Sequence, residues 1–143
     1  MNFDIIIDAS REKVWETLWD NEKYREWTSV FCEGSHVNSD WKEGSKILFL
    51  DGKGNGMVSL VNQHRPSEYM SFKHIGILKD GVEDTDSEEV QKFAGAQENY
   101  TLTTVENGKT KLAIDVDTDD KYKDFFEGVW PKALQKVKEM AEA

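Results

Sequence analysis

Three histidines and a single cysteine are the side chains of this 143-residue sequence best suited to acid–base or nucleophilic chemistry near neutral pH. His36, His64 and His74 form no His-x-His pair, no Cys-His cluster and no His-Glu-x-x-His spacing, so no metal site is expected, and no cofactor motif is present. Cys32 lies beside no cation or helix terminus readable from the sequence, and a catalytic thiolate needs one of these to lower its pKa. His74 differs, because the alternation of its strand sends it inward. It is a candidate polar handle or general acid–base inside the protein; the simpler reading is a buried histidine hydrogen-bonded to its neighbours. Tyr100 falls on the same parity in another strand and carries a hydroxyl inward, where it needs a partner. A Tyr100 and His74 pair would orient a polar ligand.

Around these two stand many large rings. Trp15, Trp19, Trp27, Phe31, Trp41, Phe72, Tyr100, Phe126 and Trp130 could line a pocket or simply fill a core. Trp15 and Trp41 are expected in the core. The expected pocket lining is Trp27, Phe31, Phe49, Phe72, His74, Tyr100, Phe126 and Trp130. The segment "DGKGNGMV" resembles a phosphate-cradling loop only superficially, since its glycines lead into a strand and not into a helix opened by Gly-Lys-Ser/Thr. The acidic stretch after Lys79 has seven acids and two bases up to Glu98, but not the spacing of an EF-hand. It is expected to be an exposed loop in which "SEEVQKFA" makes a short helix.

The elements that must position these groups are legible from periodicity. "NFDIIID" alternates as a strand with one buried face; Ser10 then caps a helix over "REKVWETLW", and Asp20 or Asn21 caps a second over "EKYREW". From about Phe31 to Val116 about six strands follow, divided by turn sequences. Asn107-Gly108 predicts a hairpin pairing Tyr100 to Val105 with Thr110 to Val116. Parity assigns Ser71, Lys73, Thr101, Thr103, Lys109, Lys111 and Asp115 to the wet face. It sends Met70, Phe72, His74, Leu78, Tyr100, Leu102, Leu112, Ile114 and Val116 inward, with Ile47, Phe49, Val58 and Leu60. The last element, about Asp119 to Glu142, is the one long amphipathic helix. Gly128 and Pro131 interrupt its pattern. Pro131 removes a donor and crowds the carbonyl of Glu127, which predicts a kink near Gly128 to Trp130. Ala133 to Met140 would then lie on the sheet while Phe126 and Trp130 lean over a cavity mouth.

Composition bounds the reading. One domain over residues 1–143 is expected, with a hydrophobic core and no internal repeat. Eighteen basic against 28 acidic residues give a net charge of −10, which disfavours nucleic acid and anionic membrane surfaces as partners. The lone cysteine and the absence of an export signal or membrane span point to the cytoplasm.

Taken in order, "IIIDASREKVWETLWDNEKYREW", "WKEGSKILF" and "GVWPKALQKVKEM" resemble the SRPBCC or START-like superfamily. Within it they are most similar to bacterial proteins of the AHSA1 type, which share the C-terminal domain of the Hsp90 ATPase activator. The resemblance covers nearly the whole chain, with Arg11 and Asn21 where such proteins often carry Pro. It implies an α+β helix-grip fold, a curved antiparallel sheet around a long C-terminal helix, with a largely apolar cavity between them. It also implies a small apolar or amphipathic molecule as the bound partner. The eukaryotic activator carries a further domain ahead of this one with no counterpart in the sequence, so chaperone activation does not follow. Three readings result: non-catalytic ligand binding as a monomer or weak dimer, a cyclase or dehydratase using His74 and Tyr100, and a co-chaperone-like interaction module whose protein partner is unknown.

Overall fold

The computed structural model describes residues 1–118 and 120–143. The chain runs β1 (Asn2–Ile7), α1 (Arg11–Trp19), α2 (Asn21–Thr28), β2 (His36–Asn38), β3 (Lys46–Leu50), β4 (Gly56–Arg65), β5 (Tyr69–Lys79), β6 (Val82–Asp84), α3 (Glu88–Gln91), β7 (Gln97–Thr104), β8 (Thr110–Val116) and α4 (Asp120–Glu142). The strands form one antiparallel sheet ordered β1-β8-β7-β5-β4-β3-β2, with the short β6 paired to β5. This is the helix-grip arrangement. The helix starts agree with the capping residues: Ser10 Oγ accepts from Lys13 N at 3.2 Å and Asp20 Oδ2 from Lys23 N at 3.3 Å. Tyr100 pairs with Ile114 and Leu102 with Leu112, the register expected of the last hairpin, and Asn107 and Gly108 both take positive φ.

One face of the sheet is covered by α1, α2 and α4, and between them lies the core, built from Ile7, Leu18, Ile47, Phe72, Leu112, Ile114 and Val137 among others. The C-terminal half of α4 supplies Trp130, Ala133, Leu134, Val137 and Ala141, all buried; its last turn is tied to β1, where Lys138 Nζ donates to Ile6 O at 3.1 Å and Glu142 Oε2 accepts from Asp8 N at 2.8 Å. The expected first residue of this helix, Asp119, lies outside the described residues. α4 stays helical through Gly128 and Pro131. Trp130 enters the core instead of standing at a mouth, at 3% exposure.

Two register shifts in the β4–β5 ladder, at Val58/Ser59 and Val61/Gln63, correct the expected parity. Leu60 pairs with Lys46 and Lys73 and so faces outward, and Ser59 pairs with Ile47 and His74 and faces inward. Val58 and Leu78 are buried, but not in the main core. The acidic segment departs from a plain exposed loop: β6 adds a strand to β5, α3 forms from a Ser87 cap, and Val90 is buried. A Cβ on Gly76 would meet Asp84 O at 2.4 Å, so only glycine admits this strand so close. Ser71, placed on the wet face by parity, is buried; its hydroxyl donates to Asn99 Oδ1 at 2.5 Å and accepts from Asn62 Nδ2 at 3.2 Å.

Candidate functional site

Beneath the helices the aromatic side chains of both layers converge. Tyr100 and Phe72, on neighbouring strands, have ring centroids 5.8 Å apart. From α1, Trp19 meets Tyr100 edge-on at 4.8 Å and Phe72 at 5.4 Å. From α4, Trp130 meets Phe31 at 4.9 Å, Tyr100 at 6.1 Å, Trp27 at 6.3 Å and Phe3 at 6.1 Å. Such edge-to-face arrangements are those aromatic quadrupoles favour. Of the eight expected lining residues, Trp27, Phe72, Tyr100 and Trp130 are buried, while Phe31, Phe49, His74 and Phe126 are half-buried. Phe49 touches Phe72 at 5.1 Å and His74 at 6.2 Å. Phe126 is the outlier, with Phe125 as its ring partner at 5.5 Å. The structure therefore gathers seven of the eight around one centre.

Hollows of about 460 and 320 Å³ open at the surface, and none of the eight residues lines either. Side chains occupy the space under α4 where the resemblance implied a cavity.

Inside this apolar cluster runs a chain of polar groups. Ser59 Oγ and His74 Nδ1 share a hydrogen bond of 2.6 Å; His74 Nε2 lies 3.5 Å from Glu98 Oε1; and Tyr100 Oη donates to Glu98 Oε2. The Tyr100 and His74 pair is thus real but indirect, with Glu98 between them. Glu98 was counted among the acids of the exposed loop. Its signal was nevertheless present: the parity that sends Tyr100 and Leu102 inward, carried back two residues, falls on Glu98. Ser59 had no such signal, because it reaches this face only through the β-bulge. Burial first and the Glu98 charge second raise the Tyr100 hydroxyl well above an ordinary tyrosine. The same two causes raise Tyr24, which packs on Trp27 at 5.5 Å and joins the same cluster.

Two further donors stand beside this chain. The indole Nε1–H groups of Trp19 and Trp130 are buried and, among the described residues, have no hydrogen-bond partner. Their rings sit on either side of Tyr100. A buried donor without an acceptor costs about 1–3 kcal/mol, and this core holds two.

Cys32 is exposed, and desolvation with the charge of Asp51 raises its thiol, the reverse of what a nucleophile needs. No group of three or more His, Cys, Asp or Glu suited to a metal occurs among the described residues, and none of their helices is long and apolar enough to cross a membrane.

Comparison with known proteins decides the family. Residues 8–142 match the model for "Activator of Hsp90 ATPase homolog 1-like protein". The chain belongs to this family. No curated protein sequence matches it. Among solved structures the AHSA1 fold recurs in the Aha1 dimer of Colwellia psychrerythraea, with 20% identity and a TM-score of 0.71, covering 99% of this chain and 95% of that one. It recurs in ChR145 of Cytophaga hutchinsonii, with 24% identity and a TM-score of 0.67, over 99% and 92%. DynU16, from the dynemicin biosynthetic locus, is 16% identical with a TM-score of 0.70; all of this chain aligns, spanning 47% of that protein. At these identities the likeness is one of fold.

Proposed function

We propose that this AHSA1-type domain binds a neutral, largely apolar small molecule carrying a carbonyl-type oxygen, held between the sheet and α4 without chemical change. The observation that carries this reading is the pair of unpartnered indole donors, Trp19 Nε1 and Trp130 Nε1, flanking Tyr100. A ligand oxygen accepting from either relieves a cost the protein otherwise bears. Aromatic walls with a few polar groups are the usual lining of a small-molecule site. The Glu98 carboxylate beside them, 19% exposed, disfavours an anionic headgroup, so a fatty-acid anion is a poor occupant. Entry would pass the half-buried rings of Phe31, Phe49 and Phe126.

The test is an NMR titration that follows the indole N–H signals of Trp19 and Trp130. Benzophenone is expected to shift both saturably, and dodecanoate to bind at least about tenfold more weakly. Trp130→Phe should lower benzophenone affinity by about threefold to tenfold, the value of one hydrogen bond. If neither indole signal moves as benzophenone approaches its solubility limit, the reading fails.

A second reading is favoured by one observation, the continuous Ser59–His74–Glu98–Tyr100 chain. Such a chain can relay a proton, as a cyclase or dehydratase requires. A bound ketone with an acidic α-hydrogen would then exchange it with D2O faster in the wild type than in His74→Ala. Equal exchange rates would remove the enzymatic reading and leave binding alone.

A further inference from the structure

A different place on the molecule carries a separate inference. We propose that the outer hollow between the start of α1 and the β4–β5 turn is a binding site for the phosphate group of a small phosphate monoester. The hollow measures about 460 Å³ and is lined by Arg11, Arg65, Glu68, Tyr69, Thr101 and Thr103, among others. The sequence holds three arginines, Arg11, Arg25 and Arg65, and two of them line this hollow in a chain of net charge −10. Lys111 lies directly across the β7–β8 ladder from Thr103, so its side chain rises from the same face.

Neither guanidinium is fully engaged. Arg11 Nη1 stands 3.5 Å from Glu68 Oε1, both side chains being a third or more exposed, and such a pair contributes little and is displaced at little cost. Arg65 donates to Gln63 Oε1 at 3.0 Å and lies 5.7 Å over the ring of Tyr69. These two contacts hold the guanidinium in place and leave other N–H groups for a ligand. Thr101 and Thr103, two apart on β7 and both exposed, present hydroxyls on the outer face. The carboxylate of Glu68 now occupies the position an anion would take.

A phosphate monoester carries a charge of about −1.5 to −2 and three acceptor oxygens, so it satisfies two guanidinium forks where Glu68 meets one weakly. Volume permits a small organic group beside the phosphate. A long polyanion is excluded by repulsion from the rest of the surface.

Phenyl phosphate, titrated at constant ionic strength and followed by NMR at the Thr101 and Thr103 amides and the Arg65 Nε–H, tests this. Saturable shifts are expected, absent with phenol. Arg65→Gln should weaken binding by about tenfold. Glu68→Gln should tighten it severalfold, because it removes the competing carboxylate; a merely non-specific charge effect would not favour this position over the equally exposed Glu83→Gln. All three side chains are at the surface, and far-UV circular dichroism confirms that the variants fold. Shifts that do not saturate by about 10 mM, equal shifts with chloride, or a Glu68→Gln affinity no tighter than the wild type would overturn the proposal. This hollow shares no residue with the interior site, so the two proposals stand or fall separately.

Discussion

Tyr100 shows how one side chain couples the apolar core to its polar chain. Its hydroxyl has one strong acceptor, Glu98, and its ring touches both Trp19 and Trp130. Burial and that carboxylate raise its pKa in the folded protein, and the same forces act on Tyr24. The consequence for stability has a definite sign. Unfolded tyrosine releases its proton above about pH 10, whereas the folded protein retains both protons. Their contribution is therefore fully present below about pH 10 and is lost as pH rises above it. Urea midpoints measured between about pH 9 and pH 11 should fall more steeply for the wild type than for the Tyr24→Phe/Tyr100→Phe double variant. Equal slopes would mean that neither hydroxyl resists ionisation. At this scale the sequence was informative wherever strict alternation held: Phe72, His74 and Tyr100 point inward as their parity requires. It misled at Leu60 and was silent on Ser59, because a bulge changes which face a residue takes without changing any residue type.

Among the elements, α4 combines two unlike halves. From Trp130 onward it buries an apolar stripe and is fastened to β1 by Lys138 and Glu142, while residues 120–129 contribute no fully buried side chain. Tyr122 and Phe125 are about half exposed there. Gly128 sits at the junction, and a Cβ at this position would meet nothing within 4 Å. Gly128→Ala should stabilise the protein by about 0.5–1 kcal/mol, since alanine loses less backbone entropy in a helix. Thermal unfolding would show this as a rise of a few degrees. A decrease would show that this helix position is not free. The glycine and Pro131 looked like flaws in the helical pattern. Packing of the C-terminal half against β1, α1 and α2 outweighs them, as tertiary contacts commonly outweigh propensity.

For the whole molecule, the net charge of −10 sets the long-range physics. Like charges repel more in the compact state than in the unfolded chain, and salt screens that repulsion. The melting temperature should therefore rise between about 0.02 M and about 0.5 M KCl; a flat or falling curve would show that local ion pairs such as Lys23–Glu16 outweigh the net charge. Sequence alone determined the order of elements, their caps, the last hairpin and the resemblance to the AHSA1 family, because each rests on contacts within a few residues or on a pattern spread along the chain. Tertiary structure decided the rest. It brought Glu98 between His74 and Tyr100, turned Ser59 inward, laid β6 along β5, filled the space beneath α4 with rings and set two arginines in one hollow. Those outcomes depend on strand register and on which surfaces meet across the fold, and no local sequence pattern encodes either.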